Sequence, residues 1–374
     1  MVVEDSIHQH LGRNELGFSL LGKSSKWSLL PLREILWKNL LHKHSKSMHS
    51  IADKSWEIAP SSITITRPAY YLPNQLARVT GWEFISEHPR RLMEGNFEDF
   101  QSPTRAFLIK DAFLIDGVLY KKDACLHLNP RITHPFLQLS IENEVARGAV
   151  YCTFPGNRYF GNWLMDDCLA YPLAVKEGTP ITTNQLTFPH VLPYEKVLGM
   201  QPTRLQSAYF KELVIFDDLG NNLDRAQRSF ALREKLLSAV EAKPFPGVFI
   251  LRGATGEKRI LNNELEIAEH LRDTRGFQIV DPAKEDVSNI IASCAGAQVV
   301  IGVEGSHLIH GVQLLATGGA LLTLQPPNRF VPAYKAGTDR GQQQFGFVVG
   351  TAEKNGFSID ITEVERTLDL FHLI

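Results

Sequence analysis

Residues 298–311 read QVVIGVEGSHLIHG. An apolar run, Val299 to Val303, meets Glu304-Gly305-Ser306, and a helical pattern comes next. A short apolar run that passes through a glycine into a helix is the signature of a βα unit in a parallel sheet. Working outward from it, the same alternation extends in both directions. GVFILR (247–252) reads as a strand, NNELEIAEHLRDTRG (262–276) as a helix, FQIV (277–280) as a strand and DVSNIIASCAGA (286–297) as a helix. In the first of these helices Asn263 and Glu266 are spaced as a capping box and Gly276 as the stop. In the second, Val287, Ile290, Ile291 and Cys294 share one face. ALLTL (320–324) is a further strand that runs into Pro326-Pro327. Four strands joined by three helices predict a Rossmann-like half.

A second alternation precedes it. GAVYCTF (148–154), ITTN (181–184) and KELVIFDD (211–218) read as strands. Helical patterns lie between them in NWLMDDCLAYPLAVKEG and VLPYEKVLGM, and another spans about Asp224 to Val240. Lys243-Pro244-Phe245-Pro246-Gly247 is the linker. The expected fold is therefore α/β, with two Rossmann-like domains facing a cleft. A first unit at 61–242 would precede a second at 243–350 and a closing helix at 351–374. Residues 61–150 read as strands and turns, with Asp116-Gly117 a hairpin signal. Residues 1–60 form a basic segment in which Leu29, Leu32, Leu36 and Leu40 recur at helical spacing. It reads either as a helix packed on the body with a solvated basic face or, through residues 23–54, as a peripheral contact with an anionic membrane.

The 374 residues suit two to three domains, and 44% apolar with 21% charged composition is that of a globular chain. Thirty-nine basic against 41 acidic residues give a net charge of −2, which offers no nucleic-acid footprint. Cys125, Cys152, Cys168 and Cys294 form no CxxC pair. That spacing fits a reducing compartment rather than a disulfide framework. The sequence contains no long apolar run, and MVVEDSIHQH is unlike a signal peptide, so a cytoplasmic protein is expected.

Three stretches offer chemistry. At Glu304-Gly305-Ser306-His307 a glycine admits close backbone approach, and the amides of Ser306 and His307 at a helix start suit a diphosphate. The alternative is an ordinary strand-to-helix turn capped by Ser306. Glu304 would face a sugar hydroxyl, or be a carboxylate stabilised by the helix dipole. Arg252 lies at a strand C-terminus and Arg259 on the glycine-rich loop after it; both are permanent, forked cations suited to phosphate. In RYFGNWLMDDCLAYPL, Asp166 and Asp167 are candidate general bases, or first-turn acids favoured by the helix dipole. There is no D-x-D triplet, HExxH, P-loop, GxGxxG or GxSxG. His307 and His310 lack a third partner for a metal, and neither a metal nor a cofactor is expected.

Taken in order, these stretches resemble family 61 glycosyltransferases, a family formerly known as the domain of unknown function 563. The resemblance rests on Asn162-Trp163-Leu164-Met165-Asp166, Arg252, Arg259 with Asn263-Glu264, and Gly302-Val303-Glu304-Gly305-Ser306. It covers about residues 150–330. It implies a GT-B-like architecture, with an acceptor-side domain at 61–242 and a nucleotide-sugar-binding domain at 243–350, and inverting transfer from a nucleotide-sugar donor to a hydroxyl acceptor without an obligatory metal. Asp166 is the motif-matched candidate base, with Asp167 the runner-up and Glu304 third. Arg252, Arg259, Gly305, Ser306, His307 and His310 would hold the donor, with Asn162 and Trp163 on the acceptor side. Asn162 stands where many members have histidine, and His310 where many eukaryotic members have asparagine. Without a membrane anchor, the chain looks more like bacterial members that act in surface polysaccharide synthesis, at the inner face of the membrane. A non-catalytic nucleotide-sugar-binding descendant and a sugar epimerase of the same architecture are the alternatives.

Overall fold

The computed structural model describes residues 22–28, 45–83, 89–129, 139–238, 240–253 and 259–373. The leucine pattern at 29–40 lies outside them. The first half supplies β1 (Gly22–Ser28), β2 (Lys46–Ser47), β3 (Lys54–Ala59), β4 (Ser62–Thr66), β5 (Phe97–Gln101), β6 (Thr104–Ile115), β7 (Val118–Lys121), β8 (Ala124–His127), β9 (Leu139–Val150), β10 (Thr179–Thr182), β11 (Thr203–Arg204) and β12 (Ala208–Asp217). Ten of these form one mixed sheet in the order β11-β10-β9-β12-β6-β7-β8-β2, with β1 on β9 and β3 on β6. The four parallel members, β11-β10-β9-β12, run third-second-first-fourth in chain order, which is a Rossmann arrangement. The connections are α1 (Cys168–Glu177) and α2 (Val191–Leu198), and α3 (Leu223–Leu237) comes after β12.

The basic segment is not all helix: β1, β2 and β3 are strands of this sheet. The Asp116-Gly117 signal is a tight hairpin turn between β6 and β7, both residues having positive φ. In sequence, Asp111 splits AFLIKDAFLI into two short apolar runs, but the structure keeps them in one strand. Asp111 sits at φ 50° inside the continuous β6. β4 and β5 pair as a separate ribbon.

The second half builds β13 (Phe245–Ile250), α4 (Glu264–Arg275), β14 (Gln278–Val280), α5 (Val287–Cys294), β15 (Ala297–Val303), β16 (Ala320–Gln325), α6 (Lys335–Arg340), β17 (Gln344–Val349) and α7 (Ile361–Leu368). Thr351–Glu353 and Gly356–Ser358 pair as an antiparallel ribbon where the closing helix was expected to begin. The other five strands form an all-parallel sheet in the order β14-β13-β15-β16-β17. That is the doubly wound 2-1-3-4-5 order, whose crossover reverses between β13 and β15. β17 is a fifth strand that the sequence pattern did not disclose. Val287, Ile290, Ile291 and Cys294 are all buried, as their spacing predicts. Gly276 ends α4 in a left-handed conformation. The capping box does not form, because the Asn263 side chain bonds both backbone groups of Ile359 instead.

One apolar cluster joins the two sheets. It contains Ala149, Trp163, Leu169 and Val214 from the first half, and Val248, Ile250, Leu308, Ile309 and Phe345 from the second. Residues 69–83 also cross over, so that part of the first half lies against the second. Tyr70 pairs beside β17 at Gly346, Val349 N–H donates to Gln75 Oε1 at 2.6 Å, and Arg78 forms a forked ion pair with Glu363. Cys125, Cys152, Cys168 and Cys294 form no disulfide. Among the described residues no helix is long and apolar enough to cross a membrane.

Candidate active site

β13 and β15 are parallel neighbours in register at Phe249 and Ile301, so their C-terminal ends open on one edge. Arg252 and Glu304 therefore meet. The Arg252 guanidinium donates to the Glu304 carbonyl at 3.2 Å, and Arg259 donates to the same oxygen at 3.0 Å. Arg259 also pairs with the Glu304 carboxylate, and both side chains are buried. Gly305 is required where it stands. It has φ +156°, and a Cβ there would fall 1.8 Å from Arg252 Nη1. Tyr334, from the loop before α6, donates its hydroxyl to the Gly305 carbonyl at 2.8 Å.

The turn after Gly305 is shorter than the sequence suggests. Ser306–Leu308 is a 3-10 turn and Ile309–Val312 a single α-helical turn. So short a helix has little macrodipole, and the arginines carry the positive charge of this edge. The His307 ring is buried beside them. Burial, then the charges of Arg252, His310 and Arg259, push its pKa well below the ordinary range.

Glu264 belongs to a motif visible in the sequence, but its role emerges only in three dimensions. From the first turn of α4 its carboxylate accepts the N–H of Arg252 at 2.7 Å and of Gly253 at 3.0 Å. It thereby fixes the strand end that aims the arginine. Burial raises its pKa, against the opposing effect of those two amides.

The first half brings its helix to this edge. A Cβ on Gly161 would lie 3.2 Å from Ser306 Cα and Oγ, so Phe160–Asn162 packs directly on the Ser306 turn. Next in sequence, Trp163–Asp167 is a π-turn. Asp166 is partly open to solvent, with its side chain 27% exposed. Asn162 Nδ2 donates to Asp166 Oδ2 at 2.9 Å, and Arg225 pairs with Oδ1. Arg225 in turn approaches Asp218, which Arg228 also holds at 2.7 Å. Arg340 lies near enough for Arg225 to help depress its pKa, after burial, to about 9.

The other residues singled out in sequence lie elsewhere. Asp167 is fully buried and faces away, accepting Thr153 Oγ1 at 2.8 Å and Thr153 N–H at 3.2 Å against Gly156. Burial raises its pKa well above the usual carboxylate range, so it serves the turn after β9. Trp163 is a core side chain. His310 is sealed in an aromatic cluster with Phe160, His190 and Tyr194, its Nδ1 2.8 Å from the Tyr194 hydroxyl, and burial lowers its pKa to about 3. The structure thus brings together Asn162, Asp166, Arg252, Arg259, Glu304, Gly305, Ser306 and His307. It adds Glu264, Arg225 and Tyr334, and leaves out Asp167, Trp163 and His310. Among the described residues no three His, Cys, Asp or Glu side chains gather as a metal-binding group.

Residues 160–317 match the family model Glycosyltransferase 61. That match identifies residues 160–317 as a glycosyltransferase 61 domain. The matched span begins at Phe160 and contains every residue just assembled except Tyr334. No curated protein matches the chain. A glycosyltransferase domain implies a sugar donor and an acceptor. Arginines at the strand ends and a carboxylate on the facing helix have to be understood in those terms.

Proposed function

We propose that this glycosyltransferase transfers a sugar from a nucleotide-sugar to a hydroxyl acceptor with inversion and without a metal, its two Rossmann-like units arranged as in GT-B enzymes. The contact of Phe160–Asn162 with the Ser306 turn carries this reading. It sets a partly open carboxylate beside an edge where two arginines converge.

The donor's diphosphate would lie at the ends of β13 and β15, against Arg252 and Arg259. Fixed cations aimed at a developing charge lower the barrier to its departure. The acceptor hydroxyl would approach Asp166. Each carboxylate oxygen has roughly two acceptor sites, so Arg225 and Asn162 leave room for one more hydrogen bond. The acceptor oxygen bonds to the anomeric carbon as its proton passes to Asp166. The carbon–oxygen bond to the diphosphate breaks, and its electron pair leaves with the nucleoside diphosphate. Asn162 orients the base and carries no proton, which suits an amide where many relatives have histidine. A saccharide acceptor in surface polysaccharide synthesis, at the cytoplasmic face of a membrane, completes the proposal.

Calorimetric titration of nucleoside diphosphates in EDTA tests it. Binding in the chelator is expected, weakened in Arg252→Ala by about 1.5–3 kcal/mol, the range for hydrogen bonds to charged groups. Binding that disappears in EDTA and returns with manganese would sink the metal-free reading. Unchanged affinity in Arg252→Ala would remove that residue from the site.

A further inference from the structure

The arginines at the strand ends already hold an anion that belongs to the protein. Residues 80–83 are zipped to the segment after β16. Thr80 N–H donates to the Pro327 carbonyl at 2.8 Å, Phe330 N–H to Gly81 and Glu83 N–H to Phe330, each also at 2.8 Å. The Trp82 and Phe330 rings pack 4.8 Å apart between these bonds. This pairing sets Glu83 beside Arg329. Arg329 Nη2 donates to Glu83 Oε1 at 2.7 Å, and its Nε engages Oε2, a forked ion pair. The same Glu83 Oε2 lies 3.5 Å from Arg259 Nη2. Arg259 is the residue that holds Glu304.

A chain of alternating charge, Glu304–Arg259–Glu83–Arg329, therefore runs from the interior outward. Side-chain exposure along it is 5%, 9%, 36% and 25%. Topology makes the placement meaningful. β13, β15 and β16 are adjacent parallel strands, so Arg252, Glu304 and Arg329 lie beyond their C-terminal ends on one edge. Glu83 and Arg329 lie outside residues 160–317.

We propose that Arg329 is a third arginine of the diphosphate site and that Glu83 is an internal anion, holding Arg259 and Arg329 until the donor's diphosphate displaces it. This rests on the proposed donor site. Glu304 is tied into the sheet edge and sealed, so it stays. Glu83 is the carboxylate that can move, because its side chain reaches solvent and a near-surface ion pair yields readily to a more highly charged competitor. A diphosphate offers more charge and more oxygens than one carboxylate, and forked guanidinium groups match it. The contact also guards specificity. A ligand with a single weak negative charge gains too little to turn Glu83 out.

The test is titration of the full-length protein with inorganic pyrophosphate in EDTA. Glu83→Gln should tighten binding about fivefold and Arg329→Ala should weaken it about tenfold. Arg329→Lys should recover part of that loss. Melting curves confirm that each variant is folded; Glu83→Ala and Arg329→Lys replace any that is not. Binding that is unchanged or weaker in Glu83→Gln overturns the internal-anion role. Unchanged affinities in both variants, with loss in Arg252→Ala, overturn this inference and leave the donor site standing. If pyrophosphate binds neither wild type nor Glu83→Gln, both readings fall.

Discussion

Asp166 and Asp167 are neighbours in sequence and opposites in structure. One is partly open and oriented by Asn162 and Arg225; the other is sealed against Thr153. If Asp166 is the base, Asp166→Asn keeps size and one acceptor oxygen but cannot take a proton. Transfer is expected to fall by about 10²–10⁴-fold with diphosphate binding intact. A steady-state rate near wild type would show that Asp166 only satisfies Arg225. The sequence could not separate the two aspartates for a physical reason. A 3.6-residue period predicts facing directions only in a regular α-helix, and Trp163–Asp167 is a π-turn whose extra residue rotates the side chains after it. Arg252, Arg259 and Gly305 were legible because cations and a glycine at strand ends have few other uses. His310 was not. Its surroundings come from Phe160, His190 and Tyr194, which its own helical spacing cannot reveal.

Among elements, the loop leaving β13 shows how one side chain disciplines a backbone. Glu264 takes two N–H groups at once. Glu264→Gln retains a single acceptor oxygen, so one of the two amides loses its partner. The variant should lose about 1–3 kcal/mol of stability and bind diphosphate more weakly, because Arg252 is no longer held in place. Thermal melts together with calorimetry check this, and an affinity equal to wild type would make Glu264 purely structural. Most of the second sheet was readable, since its strands are short apolar runs separated by patterned helices. β17 escaped because the segment before it, through α6, lacks a long amphipathic pattern to announce a crossover. Asn263 looked like a cap until its side chain found Ile359, a partner 96 residues away.

For the whole molecule, two buried histidines make acid stability a sharp observable. His310 is held to about 3, and His307 well below the ordinary histidine range. A lowered histidine contributes stability that is present above its unfolded value and lost as pH falls below it. Unfolding then takes up as many as two protons. For His310 stability should drop by about 1.4 kcal/mol per pH unit between about pH 6.5 and 4, and His307 adds a loss of the same sign. Urea titrations at a series of pH values should give His310→Gln a slope shallower by that amount. Equal slopes in wild type and variant would mean that His310 does not stay neutral. At this scale the alternation of strands and helices showed two Rossmann-like units. It did not show that β1, β2, β3 and β6–β8 widen the first sheet, because those strands pair across long separations that carry no local signature.

The crossing of residues 69–83 onto β17 also sets a clock on biosynthesis. Gln75 leaves the ribosome 274 residues ahead of Val349, the amide it accepts. At about 5–20 residues per second, roughly 15–55 s pass before that partner exists. Through that interval the nascent chain carries a segment some of whose final neighbours are untranslated, Leu72 and Leu76 being buried only in the finished fold. The edge that holds Glu83 against Arg329 can close only once Arg329 has been made, 246 residues after its partner.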